Sequence, residues 1–218
     1  MLPRVALAIC FLAGGSAPVL ANDFAIGAGA GTLGMALQAK FPLSDTLGVR
    51  ANLNRFSQSV DNDFGEISYA GDIELNTLGV LTDWHPFRGG FRLSGGFMIN
   101  NNSINGTGTP NPGESFRIGD TDYGNLDIAA NAKVSFSKFS PYLGLGFDTI
   151  KPGRRGLSFT ADLGVMFQGT PDLDFAVVGA DAAQVDQNDI RREIVDIESD
   201  LADFKLWPVL SLGLIYQF

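Results

Sequence analysis

Along much of this chain, apolar and polar residues alternate with a period of two. The segment 157–168 alternates without a break, and the segments 49–54, 91–100 and 126–136 follow the same rule. Successive side chains of a β-strand point to opposite faces of the sheet, so the pattern predicts strands with one apolar and one polar face. Runs of about ten residues have the length of a tilted strand that crosses a bilayer.

The last predicted strand strengthens the membrane interpretation. It alternates up to the final residue of the chain, with an apolar side chain at every second position. These residues are Leu210, Leu212, Leu214, Tyr216 and Phe218. A terminal aromatic residue after such a run resembles the sorting signal of bacterial outer-membrane barrels, and it implies the barrel-assembly machinery as a partner.

The polar faces of the predicted strands carry few charges, and the two signs are nearly balanced. The residues that we predict to lie inside the barrel are Arg50, Asp72, Glu74, Arg92, Asp127, Lys133 and Asp162. A soluble barrel could carry charges freely on a water-facing surface. Enclosed charges must pair instead, because an isolated buried charge is costly. The sparse set therefore favours a transmembrane barrel, and it either lines a narrow conduit or forms a salt-bridged plug.

Turn residues, and places where the apolar residues switch between even-numbered and odd-numbered positions, divide the chain into eight strands. The predicted fold is all-β: an eight-stranded antiparallel up-and-down transmembrane barrel with a helical extracellular loop. Short connections are expected at Pro42–Thr46, Trp84–Gly90 and Ile150–Gly156, and long outer loops near 61–68, 104–123 and 169–203. A tight hairpin at Gly31–Thr32 gives a short first strand, and 126–147 forms one long strand with a bulge at Lys138–Pro141. Alternatively, Lys138–Pro141 is a turn and 24–41 is a single strand, which also gives eight.

The N-terminal residues 1–21 have the form of a secretory signal peptide, with Arg4 before an apolar stretch and a small residue at the end. We expect cleavage after Ala21, which leaves 22–218 as one barrel domain exported to the outer membrane. Cleavage removes Cys10, the only cysteine, and leaves 14 basic and 24 acidic residues, a net charge of −10. This acidity argues against a nucleic-acid partner.

The segment Asp181–Asp203 departs from the period of two. Its apolar residues recur at helical spacing, and eight acidic residues face only two arginines. The stripe is Ile190, Ile194, Ile197 and Leu201, and the acids are Asp181, Asp186, Asp189, Glu193, Asp196, Glu198, Asp200 and Asp203. Three uses are open: a solvated helix packed over the barrel mouth, an acidic vestibule that concentrates cations, or a site for divalent ions that bridge lipopolysaccharide.

Residues with catalytic or cofactor chemistry are scarce. His85 is the only histidine, and it falls in a predicted periplasmic turn, away from an outer-leaflet substrate. The chain offers no His/Cys cluster for zinc, and the glycines of Gly27–Gly34 lack the nucleotide-binding pattern. We therefore expect no enzyme activity, no cofactor and no metal site, and we expect a monomer surrounded by outer-membrane lipid and lipopolysaccharide.

Four stretches resemble the family of small outer-membrane barrels that includes CarO, the ornithine-uptake and carbapenem-susceptibility protein. These stretches are Asp83–Phe87, Pro141–Phe147, Leu163–Pro171 and Asp203–Phe218. A looser similarity to OmpW-type barrels involves Ser140–Gly144. The resemblance implies an eight-stranded barrel in a Gram-negative outer membrane and a porin-like passage for small, preferably cationic, solutes. The alternative is a closed, plugged barrel with a structural or surface-interaction role.

Overall fold

The computed structural model describes residues 24–64, 67–111, 113–149 and 155–218. The predicted signal peptide and most of the predicted turn Ile150–Gly156 lie outside these residues. The strands are β1 (Ala25–Gly31), β2 (Gly34–Pro42), β3 (Leu47–Phe64), β4 (Ile67–Trp84), β5 (Phe91–Asn100), β6 (Ser103–Pro110), β7 (Ser115–Ile118), β8 (Thr121–Gly124), β9 (Ala129–Ser135), β10 (Phe139–Asp148), β11 (Gly156–Phe167), β12 (Asp172–Val178) and β13 (Leu206–Gln217). One helix, α1, spans Gln187–Leu201.

Eight of these strands form a closed antiparallel ring in the order β1-β2-β3-β4-β5-β10-β11-β13. The first and last strands pair in a register that places Ala25 opposite Gln217. At this seam the rings of Phe24 and Phe218 stack with their centroids 4.7 Å apart. A two-residue turn between Gly31 and Gly34 joins β1 to β2. The predicted eight-stranded barrel with a short first hairpin is therefore confirmed.

The outer surface of the ring is an apolar belt. Every ring strand contributes large apolar side chains that are about half exposed. One example from each strand, in ring order, is Ile26, Leu37, Leu53, Val80, Phe97, Leu145, Leu163 and Leu212, which are 46–59% exposed. A contiguous apolar surface around a whole barrel is stable only against another apolar phase, because water would penalise it heavily.

Beyond the ring, on the side away from the chain termini, part of the wall continues as a second sheet. The distal half of β4 pairs with β6, β6 pairs with β9, and β9 pairs with β12. We call these strands, together with the distal half of β3, the upper sheet. The end of the barrel next to the upper sheet is the upper end, and the opposite end, next to Phe24 and Phe218, is the termini end. Much of the three predicted outer loops is thus ordered strand or helix. The predicted long strand 126–147 is interrupted at 136–138, where β9 of the upper sheet meets β10 of the ring.

The polarity of the wall reverses along β4. Its side chains keep strict alternation, so Glu74 and Val80 lie on the same outer face. Within the ring that outer face is apolar, whereas in the upper sheet it carries Asp72 and Glu74. The inner face changes in the opposite sense, and Leu75 is buried there. The reversal at Asn76 marks the level at which the wall leaves an apolar environment and enters water.

Helix α1 and the β7–β8 hairpin pack against the upper sheet. Their shared core includes Phe116, Ile118, Ile128 and Val185, with Ile190 of the predicted helical stripe against it. The helix begins after Asp186, whose carboxylate accepts a hydrogen bond from the Asn188 amide at 2.7 Å. Among the described residues, no helix is long and apolar enough to cross a membrane.

Candidate functional site

The inside of the ring is filled by side chains in three successive layers. Alternate residues of β4 mark their order: Asp83 near the termini end, then Leu81, then Thr77. All three side chains are buried, and they belong to an ionic, an apolar and an amide layer. An eight-stranded barrel has an interior just wide enough to be filled in this way.

The ionic layer contains three cations and three carboxylates among the described residues. Its members are Lys40, Arg50, Arg92, Asp83, Asp148 and Asp162. None of them is more than 8% exposed, and Arg92 is completely buried. With all six ionised, the formal charges cancel. This balance is what a low-dielectric interior requires, since an unpaired buried ion costs several kcal/mol.

Arg92 is the centre of the layer. Its Nη1 donates to Asp148 Oδ2 at 2.9 Å, and its Nη2 donates to Asp162 Oδ1 at 2.7 Å. The Thr160 hydroxyl accepts a longer hydrogen bond, of 3.3 Å, from the same Nη2. Gly146 makes room for this guanidinium, because a Cβ there would lie 2.7 Å from Arg92 Cζ.

Arg50 completes the network from the opposite wall. Its Nη1 donates to Asp162 at 3.0 Å, and its Nη2 donates to Asp83 Oδ1 at 3.1 Å. The Nε atoms of Arg50 and Arg92 lie 3.1 and 3.5 Å from Asp83 Oδ2, within ion-pair distance but outside hydrogen-bonding geometry. Lys40 Nζ donates to Asp148 Oδ2 at 2.8 Å. Each carboxylate is therefore shared by two cations, and the six groups form one continuous network.

The apolar layer closes the lumen above the ionic layer. It consists of Leu33, Leu81, Met98, Tyr142, Met166 and Val209, with Trp207 packed against it. The Tyr142 side chain lies over Gly144 and Gly164, whose missing Cβ atoms leave it space. Between the apolar and ionic layers a void of only about 20 Å³ remains. About 10–15 Å³ of such space is enough to hold one water molecule, so the void has room for an isolated water and not for a larger solute.

The amide layer follows towards the upper end. Asn54 Nδ2 donates to Thr77 Oγ1 at 2.9 Å, and Asn100 Nδ2 lies 3.5 Å from Gln168 Oε1. Gln168 Nε2 in turn donates to the carbonyl of Phe204 at 2.8 Å, just before β13. These amides satisfy one another and the adjacent backbone, so this layer too is filled by the chain itself.

At the termini end, a cavity of about 150 Å³ reaches the ionic layer from outside. Lys40, Asp83 and Asp148 are among its lining residues, together with His85 and Arg88. His85 Nδ1 lies 3.1 Å from the Gly89 carbonyl within its turn. The cavity gives small polar solutes access to one side of the ionic layer, and the layer forms its closed end.

Sequence reasoning placed seven charged residues inside the barrel, and the structure brings three of them together there. Arg50, Arg92 and Asp162 lie in the ionic layer. The other four, Asp72, Glu74, Asp127 and Lys133, are exposed and outside the ring. For these four the prediction is wrong, because it took the apolar face to be the outer face at every height. In the upper sheet the apolar face is the inner one.

Three members of the ionic layer were missed by sequence reasoning, although the signal for each is present. Lys40 alternates with Leu37, Ala39 and the other outward residues of β2. Asp83 and Asp148 follow alternating apolar runs in the same way, at the ends of β4 and β10. Each lies next to a turn, where a charged residue is easily assigned to the connection instead of the strand.

Several acids of the α1 region have structural partners. The Tyr123 hydroxyl donates to Asp189 Oδ2 at 2.7 Å, and Arg192 also bonds this carboxylate. The hydrogen bond from Tyr123, followed by those from Arg192 and Thr121, lowers the pKa of Asp189. Glu193 accepts a hydrogen bond from the Gly119 amide at 2.8 Å. These contacts fasten the helix to the β7–β8 hairpin.

Comparison with solved structures identifies two proteins of the same fold, and a third match follows them. Acinetobacter baumannii CarO2 superposes with a TM-score of 0.61 at 17% identity, over 90% of this chain and 99% of that one. Acinetobacter baumannii CarO gives 0.58 at 20% identity, over 89% and 97%. A major outer membrane protein of Thermus thermophilus gives 0.45 at 18% identity, over 90% and 98%. No family model matches the sequence, and a search of curated proteins found no match either.

The two CarO structures share this architecture over nearly their whole length. The chain therefore has a CarO-like barrel fold, as the resemblance of its sequence implied. At such identities the similarity concerns the fold alone.

Proposed function

We propose that this protein is an integral outer-membrane barrel whose lumen is closed in its resting state, and which acts through the region it holds outside the membrane. The observation that carries this proposal is the ionic layer, a buried and charge-balanced network that joins six of the eight ring strands. The geometry thus favours the closed-barrel alternative over an open porin-like passage.

Residence in the outer membrane is supported by the surface of the ring. Large apolar side chains surround all eight strands, and the chain ends on the alternating run that culminates in Phe218. Outer-membrane lipid and lipopolysaccharide are then the surroundings of the belt, and the barrel-assembly machinery inserts it. The low net charge of the belt agrees with this location, because charges on a lipid-facing strand are destabilising.

Closure is supported by energetics as well as by packing. A solute that crossed the barrel would have to separate Arg50 and Arg92 from three shared carboxylates. Removing one partner of a buried ion pair typically costs about 3–5 kcal/mol, so separating the whole network without replacement contacts would cost more. The apolar layer adds a second barrier, since it would have to be hydrated.

The orientation follows from the position of the two ends. Two short turns lie at the same end as Phe24 and Phe218, which we assign to the periplasm. The upper sheet with α1 lies at the other end, outside the cell. There the polar outer face of the upper sheet and the acidic helix meet the environment. The proposal assigns the surface-interaction role to this region.

A gated passage for small solutes is the second candidate. The cavity of about 150 Å³ at the termini end favours it, because it brings solutes to Lys40, Asp83 and Asp148. Passage would require a rearranged ionic layer, and the acidic residues near α1 would then favour cations. Four of those acids, Asp181, Asp186, Asp189 and Glu193, are engaged in hydrogen bonds, and Arg192 offsets the charge of one of them, Asp189.

Flux into liposomes separates the two candidates. The purified full chain is reconstituted, and uptake of arginine, glutamate and a neutral sugar is compared with empty liposomes. The closed barrel predicts no uptake above empty liposomes for any solute. A triple variant, Arg50→Ser and Arg92→Ser with Tyr142→Ala, is the positive control, because it leaves uncompensated carboxylates that water must enter to solvate and also removes a large side chain of the apolar layer. Faster uptake of arginine than of glutamate by the unmodified chain would favour the gated passage instead.

A further inference from the structure

The barrel wall is incomplete beside the first hairpin. Strands β1 and β2 turn at Gly31–Gly34, whereas β3 continues to Phe64 and β13 pairs with β1 only from Ser211 onwards. Above the hairpin, two strands are therefore absent between β3 and β13. With strands about 4.8 Å apart, this leaves a lateral opening wide enough for a hydrocarbon chain. We call it the notch.

The notch contains an open depression of about 430 Å³ with largely apolar walls. Its lining residues are Thr32, Asp203, Phe204, Leu206, Trp207 and Pro208. Phe204 and Leu206 are 52% and 53% exposed. Pro208 lies on the unpaired edge of β13, where its carbonyl accepts a hydrogen bond from the Thr32 hydroxyl at 2.8 Å. A proline here offers no N–H to an added strand, so a β-strand is a poor occupant of the notch.

The notch opens towards the apolar belt. Leu210 and Met35, which lie on the outer face of the strands below it, are 52% and 75% exposed. On the inner side, Leu33 and Trp207 belong to the apolar layer of the lumen. The notch thus joins the surface that faces lipid to the filled interior. The lower edge of the notch lies at the level where the wall enters water, because Arg55 pairs there with Asn76. The acyl chains that surround the belt are the nearest apolar molecules, and they reach the notch from below.

Two further features indicate a ligand with polar groups as well as a hydrocarbon chain. The indole N–H of Trp207 is buried and has no hydrogen-bond partner among the described residues, which is a costly state for a donor. Exposed cations flank the notch, Arg55 on β3 and Lys205 just before β13. Asp203 offsets part of this charge, yet two cations beside one apolar opening suit a phosphate headgroup in an otherwise acidic protein.

We propose that the notch binds one acyl chain of a phosphate-bearing membrane lipid. The chain enters between β3 and β13 and packs against Trp207 and Phe204, while the headgroup phosphate remains near Arg55 and Lys205. This inference rests on the proposed location of the barrel in a membrane.

Tryptophan quenching by brominated lipid tests the site. The described residues contain two tryptophans: Trp84, on the outer face near the termini end, and Trp207, on the inner face at the notch. Each is isolated by a variant of the full chain, Trp207→Phe or Trp84→Phe, reconstituted in vesicles of phosphatidylglycerol with or without bromine on the acyl chains. We expect Trp207 to lose a fraction of its fluorescence comparable to that lost by Trp84, although Trp207 faces inwards.

A filled notch provides the matched control. Thr32→Phe in the Trp84→Phe background places a ring in the cavity, and we expect it to restore most of the emission of Trp207. Quenching of Trp84 with full emission from Trp207 would overturn the notch proposal and leave the membrane barrel intact. Quenching of Trp207 that Thr32→Phe does not change would also overturn it. If neither tryptophan is quenched, the chain is not in the bilayer and both proposals fail.

The headgroup is tested with a small fraction of brominated phosphatidylglycerol in unbrominated phosphatidylcholine. Both lipids bear a phosphate, and phosphatidylcholine also carries a compensating choline cation. If Arg55 and Lys205 bind the phosphate of a headgroup with net negative charge, Trp207 is quenched more than the bulk fraction of bromine predicts. The double variant Arg55→Gln with Lys205→Gln should lower the quenching to the bulk value. Equal enrichment in the double variant would contradict the assigned role of the two cations.

Discussion

Arg92 on β5 and Asp162 on β11 are joined by a hydrogen bond of 2.7 Å, although β10 separates their strands in the barrel wall. The bond passes along the inner face of β10, where Gly146 leaves room for the guanidinium. The ionic layer therefore ties together strands that share no backbone hydrogen bonds. Its contribution is to the closed barrel as a whole and not to any one hairpin.

Removing one carboxylate from this layer should destabilise the barrel strongly. Asp162→Asn leaves the ionic layer with three cations and two carboxylates, and therefore with one formal positive charge in excess inside a low-dielectric interior. We expect the free energy of unfolding to fall by about 3–5 kcal/mol, measured by denaturant unfolding in micelles or vesicles. Asp72→Asn is the matched control, because this exposed carboxylate lies in the upper sheet, and it should change stability by less than about 1 kcal/mol. Equal effects of the two substitutions would refute the buried network.

The space at Gly146 is the subject of a second prediction. A Cβ at this position would lie 2.7 Å from Arg92 Cζ and 2.8 Å from the Ala161 carbonyl oxygen. Gly146→Ala should therefore displace Arg92 and destabilise the barrel by about 1–3 kcal/mol. Gly106→Ala in the upper sheet, where a Cβ meets open space, is the control and should leave unfolding unchanged. The melting temperatures of the two variants compare these effects directly.

The reversal of polarity along β4 gives a third prediction. Val80→Lys puts a charge on the apolar belt and should cost up to about 2–4 kcal/mol of folding free energy in a bilayer. Glu74→Lys changes the same outer face about 20 Å further along the strand, in the part that we assign to water, and should cost little. Folding yield into vesicles, read from heat-modifiable mobility on gels, measures both. Similar losses for the two variants would show that the assigned border at Asn76 is misplaced.

The attachment of α1 should depend on pH at both extremes. Hydrogen bonds from Tyr123, Arg192 and Thr121 lower the pKa of Asp189 below its usual 3.8, so their contribution is present above pH 4 and is lost as pH falls through the lowered value. The same bond to Asp189 raises the pKa of Tyr123 above 10.0, so its contribution is present below pH 10 and is lost as pH rises through the raised value.

Hydrogen exchange of α1 amides measures this dependence. Protection should be highest at intermediate pH and should fall at either extreme. Asp189→Asn should remove the acid limb, whereas Asp196→Asn, an exposed acid on the same helix, should leave the profile unchanged. A profile that Asp189→Asn does not alter would contradict the role of this contact.

The barrel could be predicted from the sequence because lipid imposes one rule on every ring strand. The segment from Leu157 to Phe167 alternates strictly because each outward residue meets the same apolar phase. The short hairpin at Gly31–Thr32 follows from one observation, the switch of apolar residues from even-numbered to odd-numbered positions. The interior residues Arg50, Arg92 and Asp162 followed from the same rule. Their partners Lys40, Asp83 and Asp148 obey it too, but they stand at strand ends, where local composition resembles that of turns.

The upper sheet could not be predicted in this way, because the rule changes sign where the wall enters water. Ile73 and Leu75 are as apolar as Leu78 and Val80, yet they lie on the opposite face of the same strand. Only pairing between distant strands, β4 with β6 and β9 with β12, reveals which face is covered. Alternation within one segment carries no information about these partners.

Conductance of planar bilayers tests the central claim most directly. After insertion of the purified full chain, a lumen closed by the ionic layer predicts a current no greater than that of the bare bilayer. The triple variant, Arg50→Ser and Arg92→Ser with Tyr142→Ala, should instead produce discrete conductance steps, because it opens the ionic layer and thins the apolar layer. Steady steps from the unmodified chain, with the triple variant no more conductive, would contradict the assignment of these two layers as the closure of this barrel.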